Sequence, residues 1–217
     1  MRQFPKLKIK EFNPVRSKLL TGFNIFKKFD TPGKIQGFVN RIPINFERNG
    51  ETCRSPLSTL RHKKAHCMEG ALLAAAMLWY HGEEPLLMDL KTTNKDMDHA
   101  VALFRRGNRW GAISKTNHAV LRYRDAVYKT PRELAMSYFN EYFLDNGVKT
   151  LRSHSAPFSL LRYGEAWLTS EKDLWDVNDA LDYSRHFPVA KNTSRFLRLA
   201  DQIEIKAGKL VEWKKKS

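Results

Sequence analysis

The sequence predicts an α+β fold on three observations. Residues 65–78 form a small, apolar run of strong helix formers, stopped by Gly82. Two strand-like segments, 99–104 and 110–114, flank the turn signal Arg106-Gly107-Asn108-Arg109. Thr31-Pro32, Ser55-Pro56 and Thr130-Pro131 each read as a helix N-cap followed by proline in the first turn.

Taken in order, residues 1–30 are basic, with Phe23, Ile25, Phe26 and Phe29 as apolar anchors, and read as an arm laid over the core. Thr31-Pro32 opens a helix running through Val39, and Ile42 to Phe46 is a loop or short extended piece. Ser55-Pro56 opens a short helix that leads to the basic loop Arg61-His62-Lys63-Lys64. The 65–78 run is apolar on nearly every side, which makes its helix central. Leu86 to Leu90 is a short buried strand, Lys91 to Asp98 a surface loop, and the 99–114 hairpin follows.

Thr130-Pro131-Arg132-Glu133 is a capping box that opens a helix through Phe143, ended by Asn146-Gly147. Aromatic residues at 138, 139, 142 and 143 would share one packed face of it. Residues 151–168 are irregular, with extended pieces near Phe158 to Leu160. Ser170 to Asp173 begins a capped helix expected to end near Phe187-Pro188. Polar and apolar residues alternate around Ile203, Ile205, Leu210 and Val211 before Lys214-Lys215-Lys216. With no internal repeat or clean linker, the expected organisation is an arm over 1–30 and one domain over 31–217 with a C-terminal helical extension.

The chain has 217 residues, of which 42% are hydrophobic, enough for a real core. Its net charge of +15 suits an acidic partner. The basic residues are dispersed and not interleaved with aromatics, which argues against a nucleic-acid interface. No apolar run approaches membrane-spanning length, and no apolar segment of a signal peptide follows the basic start. A cytoplasmic location is the expectation. Cys53 and Cys67 are the two cysteines, too few for a disulfide scaffold. No metal-ligand spacing or glycine-rich phosphate loop is present, so neither a metal nor another cofactor is expected.

Cys67 falls in the first turn of the central helix, where unpaired N–H groups and the helix dipole favour a thiolate. The same positive end favours an oxyanion. A cysteine nucleophile needs a base, and His99 opens the first hairpin strand, sharing a face with Val101 and Leu103. The hairpin register decides what orients that histidine. A two-residue turn at Gly107-Asn108 brings Thr116 opposite His99, with Ser114 and His118 diagonal on the same face. A three-residue loop brings Lys115 and Asn117 to that face instead. Asparagine is the better orienter of an imidazole, as in Cys-His-Asn sites.

A cysteine at a helix start, a histidine on a strand and a returning strand that carries Trp110 resemble the transglutaminase-like branch of the papain-type cysteine protease superfamily. The resemblance covers residues 55–118. It implies a transglutaminase-like, papain-like core in which the nucleophile helix packs on an antiparallel β-sheet, with additional helices around it. It also implies Cys67 as nucleophile and His99 as base. Four residues after the tryptophan, where that family usually carries aspartate, this chain has Ser114. Two functions follow as expectations. One is cysteine-dependent acyl transfer on a protein, peptide or small amide substrate, as hydrolysis or transamidation. The other is a catalytically inactive binding module of the same fold, using its basic surface.

Overall fold

The computed structural model describes residues 18–190 and 196–214. It is an α+β structure with a seven-stranded antiparallel sheet. Most of the arm expected over 1–30, and Lys215 and Lys216, lie outside the described residues. The rest of the arm is a 3₁₀ helix, Lys18–Lys28, whose Phe23 and Phe26 are buried in the main core.

The cap-plus-proline signals open helices because the donor they satisfy lies only three residues away. Thr31 accepts the Lys34 N–H and starts α1 (Pro32–Arg41). Ser55 accepts the Ser58 N–H and starts α2 (Pro56–His62), which ends on Lys63 at φ 53°. The apolar run forms α3 (Cys67–Tyr80), in which every residue from Met68 to Trp79 is buried. Gly82, at φ 87°, reverses the chain after it.

The strands β1 (Leu86–Lys91), β2 (His99–Arg106) and β3 (Arg109–Ser114) form the middle of the sheet. β2 pairs β3 with Arg106 opposite Arg109 and Val101 opposite Ser114, so Gly107-Asn108 is a two-residue turn. On one edge lies β4 (Arg124–Tyr128) beside β3. Beyond β1 come β5 (Ser153–Ser155) and β7 (His186–Pro188), and the short β6 (Phe158–Ser159) also pairs with β1. The first six residues of β2 are buried on both faces of the sheet. Ala100, Ala102 and Phe104 face the core built on α3, whereas Val101 and Leu103 face a second core.

That second core is covered by α4 (Pro131–Tyr138) through Leu134, Ala135 and Tyr138. The expected continuation of this helix to Phe143 does not occur. After a 3₁₀ turn over Phe139–Glu141 the chain is extended at Tyr142 and folds back on itself. The Thr150 N–H donates to Tyr142 O, and Phe143 pairs with Lys149 around Gly147 at φ 81°. Local pairing replaces the helical turns that the aromatic spacing suggested.

A short helix, α5 (Ala166–Thr169), precedes the segment at Ser170. Ser170 does not cap a helix, because its hydroxyl closes a turn with Lys172. Asp173 accepts the Cys53 N–H at 3.0 Å, and the Leu174 N–H donates to Cys53 O at 2.7 Å. The helix α6 (Trp175–Asp182) starts only after this anchor and stops short of Phe187-Pro188, which is strand. The alternating segment near the C-terminus is also helical: Asp201 and Glu204 form a capping box that opens α7 (Gln202–Gly208). Among the described residues, no helix is long and apolar enough to cross a membrane.

Candidate active site

Cys67 is the first residue of α3, and its half-buried thiol lies between two imidazoles. His66, the N-cap, has Nδ1 4.0 Å from Cys67 Sγ. His99 is near enough to act on the sulfur electrostatically. Burial alone would raise the thiol pKa, but these two rings outweigh it and hold it well below the ordinary value. Cys53 is the contrast: buried, and beside the negative charges of Glu69 and Asp173, its thiol is pushed up to about 12.

His99 is buried at the start of β2, and its Nε2 lies 2.8 Å from Ser114 Oγ. The Ser114 hydroxyl has one proton and donates it to Leu121 O at 2.6 Å. It therefore accepts from His99 Nε2–H, which fixes the tautomer and leaves Nδ1 as the nitrogen available to the thiol. Gln36 clamps the serine backbone, donating to Ser114 O at 2.7 Å and accepting its N–H at 2.9 Å. The two-residue hairpin turn is what turns Ser114 to the face of Val101 and His99.

Asn117 does not take the orienting place that hydrogen-bond chemistry suggested for it. Its Nδ2 donates to Trp213 O at 2.9 Å, and its Oδ1 accepts the Trp213 N–H at 2.8 Å. With Glu212 N–H donating to Asn117 O, it ties the C-terminal segment to the end of β3.

Sequence reasoning gave His66 no role beyond standing before the cysteine. Its Nε2 donates to Thr52 O at 2.6 Å and lies 3.7 Å from Glu47 Oε1 and 3.8 Å from Glu69 Oε2. The Glu69 carboxylate is fully buried and accepts the His66 backbone N–H, Thr52 Oγ1–H and a hydrogen bond from Asn45. Burial opposes a charge on the ring, but the Cys67 sulfur and Glu69 prevail and raise its pKa to about 9. Nδ1 thus has two competing uses. In the neutral ring it accepts the Met68 N–H (3.3 Å), and in the charged ring it donates to the sulfur. The available signal was Glu69, three residues after the N-cap, in the glutamate position of a capping box.

Two more buried groups border the site. Tyr142 Oη donates to Met97 O at 3.2 Å, and burial, together with the nearby charge of Cys67, keeps the phenol un-ionised. Lys115, one residue past Ser114, is buried with its Nζ on Ile42 O, and desolvation lowers its pKa to about 8. Its side chain lies against Gly70, one turn into α3 from the cysteine.

The carboxylates of Asp89, Asp98 and Asp182 offer oxygens within 4.8 Å of one another. Positive partners already meet this cluster, because Lys91 pairs with Asp182 and His186 lies 3.0 Å from Asp89.

No protein-family profile matches the sequence, and no curated protein matches it.

Proposed function

We propose that the chain is a cysteine-dependent acyl-transfer enzyme with a transglutaminase-like, papain-like core. The observation that supports this most is the relay Leu121 O, Ser114 Oγ, His99 Nε2, with the other imidazole nitrogen left to an acidified thiol. The Cys67 thiolate attacks an amide or ester carbonyl and forms a C–S bond. The developing oxyanion lies near the Cys67 N–H, which heads the helix and has no intrahelical acceptor. His99 gives its proton to the leaving amine or alcohol as that bond breaks, leaving a thioester. Water or an amine then attacks the thioester while His99 takes its proton, and the C–S bond breaks to restore the thiolate. Ser114 orients the ring but supplies no negative charge, so the imidazolium is stabilised less than in a site with aspartate.

The test is the pH dependence of iodoacetamide labelling, followed by mass spectrometry with peptide esters as acyl donors. Cys53 is buried and stays protonated, so labelling reports Cys67. We expect labelling well below the ordinary thiol midpoint of about 8.5, and an acyl adduct on Cys67 that is lost in His99→Ala. A thiol that titrates at the ordinary value and never becomes acylated would leave the binding-module alternative.

A further inference from the structure

Nδ1 of His66 stands between two partners that need it in opposite states. Cys67 Sγ, at 4.0 Å, is met by a proton on Nδ1, and the Met68 N–H, at 3.3 Å, by its lone pair. The other nitrogen has no such choice. Nε2 lies 2.6 Å from Thr52 O, a carbonyl that only accepts, so Nε2 holds a proton whether the ring is charged or neutral. Any change of charge on this ring therefore takes place at Nδ1, beside the sulfur.

Charged groups reach the ring from both segments packed on it. Glu47 and Glu69 lie 3.7 and 3.8 Å from Nε2, and Arg54, 3.3 Å from Glu69, offsets part of that negative charge. Burial works against an imidazolium here, and the strongest influence opposing burial is the Cys67 sulfur, with Glu69 after it. The charge on the ring is thus tied to the charge on the sulfur. A thiolate holds the Nδ1 proton in an ion pair. A thioester sulfur carries no charge, and then burial and the Met68 N–H both favour the neutral ring.

We infer that His66 is a second acid–base residue of the site, a switch whose Nδ1 proton is present while Cys67 is a thiolate and absent while Cys67 carries an acyl group. This role rests on the acyl-transfer function proposed above. On acylation the sulfur lone pair forms the C–S bond and the Nδ1–H bond breaks. The proton passes to water, and the electron pair stays on Nδ1 to accept the Met68 N–H. On deacylation the C–S pair returns to sulfur, and Nδ1 takes a proton back from water. His99 still serves the leaving group and the attacking water. His66 instead stabilises the thiolate, as nucleophile in the first half and as leaving group in the second, and leaves no unpaired imidazolium buried between them.

The test uses the full chain with ¹⁵N-labelled histidine rings, the His66 signals being assigned by their loss in His66→Asn. The ring is titrated by NMR before and after alkylation of Cys67 with iodoacetamide, which leaves a neutral thioether sulfur. The midpoint should lie at about 9 before alkylation and fall by at least about two pH units after it, with Nε2 protonated throughout. Cys67→Ala, which removes the sulfur without adding bulk, should lower the midpoint in the same way. A midpoint unmoved in either form, or one already at the ordinary 6.5 in the free chain, would overturn the switch. Acylation of Cys67 by peptide esters while His66 keeps its titration would do so too, and would leave the acyl-transfer function standing. A ring that discharges on alkylation, in a chain that peptide esters never acylate, would keep the switch and remove that function.

Discussion

Gly70→Ala isolates the contact that sets the nucleophile helix against the histidine-orienting strand. A methyl group built at Gly70 would lie 2.3 Å from Lys115 Cβ and 2.7 Å from Lys115 Cγ. Carbon atoms in contact prefer about 3.5–4.0 Å, so helix and strand must separate by more than about 1 Å. Neither side yields easily: Gly70 is interior to α3, and Lys115 Cβ is attached to the backbone beside Ser114, which Gln36 clamps. Helix propensity by itself would favour alanine by about 1 kcal/mol. Overpacking in a dense core costs about 1–3 kcal/mol and more when backbones must move. The expected net is a loss of about 1–2 kcal/mol, which for a chain of this size lowers the thermal midpoint by roughly 2–8 °C. The same displacement draws Cys67 away from His99, so the pH midpoint of iodoacetamide labelling should rise as the protein loses stability. Thermal melts and labelling profiles of the one variant check both. A variant that melts higher, with an unchanged labelling profile, would show that propensity wins and that the close approach does not hold the site together.

Three further outcomes are expected. His66→Asn keeps a good N-cap but removes the ring beside the sulfur, so the Cys67 labelling midpoint should move up; an unmoved midpoint would exclude the second imidazole from thiol activation. Ser114→Ala should cut the rate of acylation by at least about tenfold by releasing His99 Nε2, whereas Asn117→Ala should leave the labelling profile and the acylation rate nearly intact; equal effects on acylation would sink the assignment of roles. Lys115 has a folded pKa of about 8, below its ordinary value of 10.5, so below about pH 8 the folded state must hold a buried charge that the unfolded state keeps in water. Between about pH 8 and 10 the unfolded state binds more protons, so stability should rise over that window, by at most about 3 kcal/mol in urea melts, a rise that Lys115→Met should remove.

Much of the helical framework was legible because its causes are local. Thr31, Ser55 and Thr130 each accept an N–H from three residues on, and proline follows each of them, so a few adjacent letters contain the whole interaction. The run that became α3 was legible for a different reason: a helix buried on every side needs apolar residues on every side. Where a local signal met a tertiary competitor, the competitor won. Ser170 had the pattern of a cap, but Asp173 and Leu174 are held by Cys53, 120 residues away in the case of the Asp173 hydrogen bond. The aromatic spacing around Tyr138 suited a longer helix, but Tyr142 is drawn to Thr150 and Met97.

The surroundings of the candidate site divide in the same way. Cys67 at a helix mouth and His99 on a strand could be named from residue type and local pattern. Which residue meets His99 could not, because one residue of register exchanges Ser114 for Asn117 and the loop sequence admits both turns. The pairing of β2 with β3 decides it, and the clamp from Gln36, 78 residues distant, holds the serine there. His66 acquires its partners Thr52 and Glu47 from a segment upstream, and Asn117 acquires Trp213 from 96 residues downstream. Sequence encodes what each residue can donate, accept or bury. Which partner it meets across such separations depends on the whole chain packing at once, and only the tertiary structure decides it.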